Sequence, residues 1–198
     1  MTALRRSATV SSGRRGAPAG RNRVRIIAGK WRSRLLKFPP AEQLRPTPDR
    51  VRETLFNWLG QRLDGLACVD LFAGSGALGF EAASRGARRV VMVERDARIA
   101  AALRDSAASL AAEGVQIVED NALRFVERAS ERFDVAFVDP PFASDLAKRI
   151  MQRLPERLNA HARVYVESAA PLALGAPWKA LRADRAGAVG YALYEFLP

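Results

Sequence analysis

The chain has 198 residues, 48% of them hydrophobic, which is enough for one sizeable packed core and a small appendage. One cysteine, Cys68, excludes an internal disulfide and fits a reducing compartment. One histidine, His161, and no His/Cys cluster leave no spacing for a metal site. The net charge of +11 belongs wholly to residues 1–60, which hold fourteen Lys and Arg against three acids, whereas residues 61–198 are balanced at eighteen of each. Such asymmetry describes a polyanion-binding arm on a neutral body. No run approaches the roughly 18 apolar residues of a membrane span, so a cytoplasmic protein is expected.

Residues 1–22 carry Arg, Ser, Gly, Ala and Pro with neither an acid nor a periodicity, and read as a disordered basic tail. Val24 to Phe38 alternates imperfectly about Ala28-Gly29 and predicts a β-hairpin. Its polar positions hold Arg25, Lys30, Arg32, Arg34 and Lys37, with Trp31 among them. Cations interleaved with an aromatic suit phosphate contact and base stacking, and Trp31 reads equally well as core packing. In Arg45-Pro46-Thr47-Pro48-Asp49-Arg50, Thr47 has the chemistry of a helix N-cap and Pro48 that of a first helical residue. Val51, Leu55, Trp58 and Leu59 then mark one face of an amphipathic helix, with Arg50 and Arg52 near its start. Residues 23–60 therefore read as a basic hairpin-plus-helix unit, ahead of a body at 61–198.

From Leu66 onward, strands and helices alternate. Strands are predicted at 67–72, 90–94, 115–118, 134–138 and 164–167, and helices at 77–85, 97–112, 121–129 and 146–154. A closing strand is expected at 189–196, with 181–183 as its partner. This alternation implies an α/β fold with a mostly parallel sheet covered on both faces, whose ligands bind beyond the carboxyl ends of the strands.

Polar groups gather at that edge. Gly74-Ser75-Gly76-Ala77-Leu78-Gly79 follows the first strand and matches the GxGxxG pattern, which alone is a weak signal for a dinucleotide. Asp70 precedes it by four residues, placed to meet an amino-bearing or cationic ligand. Glu94 ends the second strand 20 residues after Gly74, a spacing suited to ribose hydroxyls. Asp120-Asn121 ends the third strand, where either side chain suits an adenine edge. The fourth strand runs into Asp139-Pro140-Pro141-Phe142. Its prolines fix φ and remove donors, so the Asp139 carboxylate and the Pro140 carbonyl form paired acceptors beside an aromatic face. That is a receptacle for a planar amine. One acid at a strand end is ordinarily a solvated turn residue, but four in register point to a site.

These residues carry a resemblance. Asp70 to Gly79, Glu94, Asp120 and Asp139 to Phe142 resemble the motifs of Rossmann-like S-adenosylmethionine-dependent methyltransferases, and the Asp-Pro-Pro-Phe element resembles their amino-methylating subset. Arg25-Ile26-Ile27-Ala28-Gly29-Lys30-Trp31-Arg32 and the segment Arg45 to Phe56 narrow the likeness to the RsmD family, bacterial enzymes that methylate N2 of one guanine in 16S ribosomal RNA. The likeness covers about residues 23–198. It implies a Rossmann-like methyltransferase fold with a seven-stranded, mostly parallel sheet, preceded by a small hairpin and helix. It implies S-adenosyl-L-methionine held by Asp70, Phe72, Ala73, Gly74, Ser75, Gly76, Glu94, Arg95, Asp120 and Asn121. Catalysis is expected from Asp139, Pro140, Pro141 and Phe142, and RNA contact from Lys30, Arg32, Arg34, Arg45, Thr47, Arg50 and Arg52. The expected partner is ribosomal RNA or a small-subunit assembly particle, and the expected state a monomer without metal. Three other readings stay open: an adenine or cytosine amino-methyltransferase acting on DNA or RNA, a non-catalytic RNA-binding assembly factor, and a nicotinamide oxidoreductase.

Overall fold

A computed structural model of the chain describes residues 22–40, 46–141, 145–169 and 172–198. The basic tail up to residue 21, Arg45 and Phe142 lie outside the described residues. A two-stranded antiparallel hairpin opens the fold, β1 (Arg23–Arg25) on β2 (Leu35–Lys37), followed by α1 (Asp49–Leu59). The body then alternates through β3 (Ala67–Asp70), α2 (Ala77–Ser84), β4 (Arg89–Glu94), α3 (Ala97–Ser109), β5 (Val115–Glu119), α4 (Ala122–Arg128), β6 (Phe133–Val138) and α5 (Leu146–Arg153). A short 3-10 turn at Leu154–Arg157 leads to β7 (Leu158–Ser168), β8 (Trp178–Ala186) and β9 (Val189–Phe196).

The seven body strands form one sheet in the order β5-β4-β3-β6-β7-β9-β8. Every pairing from β5 to β7 is parallel, and β9 runs antiparallel to both β7 and β8. Strand order reverses between β3 and β6, the switch point where open α/β sheets bind ligands. Asp70 pairs with Phe137 in that register, so the ends of β3 and β6 emerge side by side.

Alternation along the strands builds two cores. Cys68, Met92, Phe137 and Tyr165 face α1, α2, α3 and the hairpin through Leu55, Phe80, Leu103 and Ile26. Val69, Val93, Ala136 and Val164 face α4 and α5 through Val126, Ile150 and Met151. Cys68 is fully buried, and burial pushes its thiol up to about 12, so it is an inert core group.

The basic hairpin shares the first of these cores. Trp31 is 8% exposed and packs there, so its role is packing rather than base stacking. Its amide donates to Ser84 Oγ (2.9 Å), and the Lys30 amide donates to the Ser84 carbonyl (2.7 Å). Gly29 makes this approach possible: at φ 79° it lies so close to α2 that a Cβ would stand 1.9 Å from the Ser84 carbonyl oxygen.

A candidate active site at the sheet switch point

Four strand ends and the loop before α1 enclose a cleft of about 990 Å³. Its lining includes Asp70, the 72–75 turn, Glu94, Arg95, Asp120, Asn121, Asp139, Pro140 and Pro141, together with Thr47 and Glu167. All four acids expected at the strand edge therefore converge on one cavity.

The glycine turn is braced by those acids. Asp70 is 2% exposed, and its carboxylate accepts from the amides of Gly79 (3.0 Å) and Phe72 (3.4 Å). Burial pushes this carboxyl up to about 7 against those two donors, with the Glu94 charge adding to the rise. Glu94 accepts from the Gly74 amide (3.0 Å) and the Asp96 amide (2.8 Å). Gly76, at φ 76°, starts α2 in the left-handed region, and a Cβ there would meet Phe80 and Leu103 at 2.6–2.7 Å. Asn121 caps α4 by accepting from the Leu123 amide, and Asp120 pairs with Arg124 at 3.5 Å.

This donor set fits a nucleoside bearing a cationic arm. Each Glu94 oxygen keeps a lone pair for a hydroxyl, and the Asp120 carboxylate sits beyond it. Phe72, Val93, Ile99 and Ala122 supply apolar walls for a ring. Asp70 and Asp139 place two carboxyl groups nearest the sheet switch point, and a cationic sulfonium beside them would favour their charged forms.

The amine end of the cleft is more elaborate than Asp139 and two prolines. Thr47 Oγ1 donates to Asp139 Oδ2 at 3.4 Å. Burial, then the Glu167 and Asp70 carboxylates, push Asp139 well above the usual carboxylate range, and the Thr47 hydroxyl acts in the opposite sense. Glu167, at the end of β7, is 6% exposed and accepts from the Tyr165 hydroxyl at 2.8 Å. Its carboxyl is also raised, by burial, against the hydroxyls of Tyr165 and Thr47. Glu167 is absent from the residues expected from sequence. The readable signal was a fifth acid ending a predicted strand; that this strand lies beside that of Asp139 is given only by the pairing of Val138 with Val166.

Two residues expected to face RNA do other work. Thr47 is 7% exposed and points at Asp139; α1 is capped by Pro48, with no side-chain hydrogen bond. Arg52 is fully buried. Its guanidinium donates to the Thr47 carbonyl (3.2 Å), the Arg25 carbonyl (2.9 Å), Asp49 (2.6 Å) and Glu81 (3.4 Å). Glu81, itself buried in α2, also accepts from Arg85 (2.8 Å) and from the amides of Ile27 (2.7 Å) and Ala28 (3.0 Å). A buried charge costs several kcal/mol unless fully paired, and here both partners are. The network ties hairpin, α1 and α2 together and fixes the backbone at Thr47. Lys30, Arg32, Arg34 and Arg50 are exposed. A second groove of about 500 Å³, lined by Arg23, Arg25, Leu35 and Pro46 to Asp49, shares Thr47 with the cleft and extends toward the hairpin.

The sheet order, the braced glycine turn and the acids at the strand ends define the class of Rossmann-like methyltransferases. The chain belongs to the family described as conserved hypothetical protein 95, whose profile matches residues 24–195. It is 41% identical over 186 residues to ribosomal RNA small subunit methyltransferase D of Haemophilus influenzae, spanning 90% of this chain and 96% of that protein. It is 41% identical over 182 residues to the protein of the same name from Escherichia coli strain K12, spanning 89% and 92%. A solved methyltransferase structure from Escherichia coli superposes with a TM-score of 0.81 at 41% identity, covering 88% of this chain and 98% of that one.

Proposed function

We propose that this chain is an S-adenosyl-L-methionine-dependent methyltransferase that acts on the exocyclic N2 of a guanine in small-subunit ribosomal RNA, as naked RNA or as an assembly particle. One observation carries the reading: the glycine turn after β3 and the Asp139-Pro140-Pro141 turn after β6 open onto one cleft. The 41% identity to small-subunit ribosomal RNA methyltransferases supports the substrate.

When bound, S-adenosylmethionine supplies an electrophilic methyl on a sulfonium sulfur. The chain does the rest by positioning. The N2 lone pair of guanine is delocalised into the ring, so the amine is a poor nucleophile. Asp139 and the Pro140 carbonyl accept its N–H bonds and favour a pyramidal nitrogen whose lone pair is free to attack. Holding the amine at near-attack distance accounts for most of the acceleration. Thr47 orients the Asp139 carboxylate, and Arg52 holds Thr47 through its carbonyl. Phe142 is assigned to stacking on the extruded base. Lys30, Arg32, Arg34, Arg45 and Arg50, with Arg23 and Arg25 of the second groove, contact phosphates and give register rather than base identity. The hairpin and α1 thus act as the RNA-facing unit of a cytoplasmic, monomeric enzyme.

The test is methyl transfer from a labelled donor to small-subunit RNA, small-subunit particles, large-subunit RNA and DNA in parallel. Label confined to the small-subunit species supports the proposal. Label on DNA alone, or on none, refutes it.

A further inference from the structure

The cleft and the second groove share a wall. Pro46, Thr47 and Pro48 line both spaces. Three consecutive residues span at most about 10 Å, so the two spaces adjoin on a scale that neighbouring nucleotides of one strand can bridge. Arg52 holds this wall in place, its side chain on the Thr47 carbonyl (3.2 Å) and its amide on the Pro48 carbonyl (3.1 Å). The Thr47 hydroxyl donates to Asp139 on the cleft side (3.4 Å). Pro46 and Pro48 have no N–H to give, so they contribute ring surface to the groove rather than donors.

The hairpin and Asp49 supply the rest of the groove. Strand alternation buries Val24 and Leu36 and turns Arg23, Arg25, Leu35 and Lys37 outward, with Arg23 opposite Lys37 and Arg25 opposite Leu35. Leu35 is 54% exposed, one of two large apolar side chains left in solvent among the described residues; the other is Leu197. A lone exposed leucine needs no explanation, but one that lines a groove with two prolines, on a face carrying three cations, makes a binding surface. Asp49 is the one acid among the described lining residues, and it is paired with the buried Arg52 (2.6 Å) and with Arg25 (3.2 Å). The Arg25 pair is solvent-exposed and worth little, so it can yield to a phosphate.

We infer that this groove seats the nucleotide next to the target guanine on the same RNA strand, with its base against Leu35, Pro46 and Pro48 and its phosphate on Arg23, Arg25 and Lys37. The inference rests on the proposed action on a guanine base of RNA. A target base reaches the cleft only after leaving its stack, and its departure bares one face of its neighbour. Leucine and proline side chains wedge against bases unstacked in this way. The groove gives the bared face apolar contact and keeps the neighbour from stacking again on the target. Contact of this kind carries no directed hydrogen bond, so the subsite demands an unpaired base without demanding a particular one.

The probe is a single-stranded RNA of about ten nucleotides, a usual site size, with one guanine at its centre and the fluorescent base 2-aminopurine on one side of it or the other. Binding is measured at low salt in the presence of S-adenosylhomocysteine, so no turnover is needed. 2-Aminopurine is dim when stacked, and on one side of the guanine it should brighten on binding. Leu35→Ala, at an exposed position outside the core, should abolish that change and weaken binding about 5- to 10-fold. An abasic site at the same RNA position should cost wild type a similar factor, and the variant little more. Arg23→Gln should instead lower the log–log salt slope by about 1 for intact and abasic RNA alike, the mark of a phosphate contact. Wild-type affinity in Leu35→Ala, additive losses from the variant and the abasic site, an unchanged salt slope in Arg23→Gln, no brightening on either side, or no binding of the oligomer overturns the inference. Methyl transfer to small-subunit particles is scored separately. Transfer with a negative groove test leaves the functional reading standing and removes only the groove's assignment. No transfer with the Leu35 coupling intact removes the functional reading and leaves the groove a nucleotide site.

Discussion

Asp70→Asn isolates the cost of building the glycine turn around a buried charge. Moving a carboxyl from its ordinary 3.8 to about 7 corresponds to about 4 kcal/mol between its two protonation states, an upper figure for a group this buried. A folded-state value above the unfolded one means the folded protein binds the proton more tightly. Stability from this group is therefore fully present below 3.8 and lost as pH rises through about 7. Between pH 8 and pH 5, wild type should regain about 2–3 kcal/mol from Asp70 alone. Asn keeps an acceptor for the Gly79 amide and carries no charge, so its contribution should be flat across that window. At pH 8 the variant should be about 2 kcal/mol more stable than wild type. The difference should shrink to nearly nothing at pH 5. At a slope of about 2 kcal/mol per molar urea, that is a midpoint about 1 M higher at pH 8. The assay is urea denaturation followed by far-ultraviolet circular dichroism at both pH values. An unchanged pH slope in the variant would refute the reasoning, because it would show that Asp70 does not titrate on folding.

Asp139→Ala should reduce single-turnover transfer by at least about 10²-fold and leave donor affinity within a few-fold, because the lost contact belongs to the transition state; calorimetry and a rapid-quench assay measure the two. Arg52→Leu strips the buried Glu81 of one partner and frees Thr47, so it should cost about 3–5 kcal/mol and lower the melting temperature by about 10 °C, read by calorimetry. Gly29→Ala should destabilise by at least about 2 kcal/mol, since the Ser84 carbonyl is backbone and has little room to yield; the urea midpoint reports it. Removing residues 1–21, with their five arginines, should lower the steepness of the salt dependence of RNA binding by up to about 3 in log–log slope.

Much of the fold could be read from periodicity. The strand–helix alternation places Asp70, Glu94, Asp120 and Asp139 at one edge whatever the packing details, because each follows a strand in a parallel sheet. The C-terminal pair was visible at Val189–Phe196, but β8 extends well beyond 181–183 to Trp178–Ala186. It is an edge strand with mostly exposed side chains, so its apolar signal is faint. Charge misled at Arg52. A cation suggests a surface, yet position 52 falls on the buried stripe with Leu55 and Phe56 at i+3 and i+4, and that spacing was the available warning. Thr47 illustrates a local rule overridden by tertiary structure: Thr before Pro reads as a helix cap, but the Asp139 carboxylate competes for the hydroxyl. Glu167 was missed because its significance is relational. Only the β6–β7 register brings it beside Asp139, and register between distant strands is not written in either one.

The central claim is that the Asp139 turn presents the guanine N2 amine to the donor. Nucleoside mass spectrometry of small-subunit RNA, after incubation with the donor and either wild type or Asp139→Ala, tests it most directly. The account predicts N2-methylguanosine with wild type and its loss with the variant. A methyl group on a ring nitrogen, a ribose oxygen or another base would contradict it, as would undiminished N2-methylguanosine with Asp139→Ala.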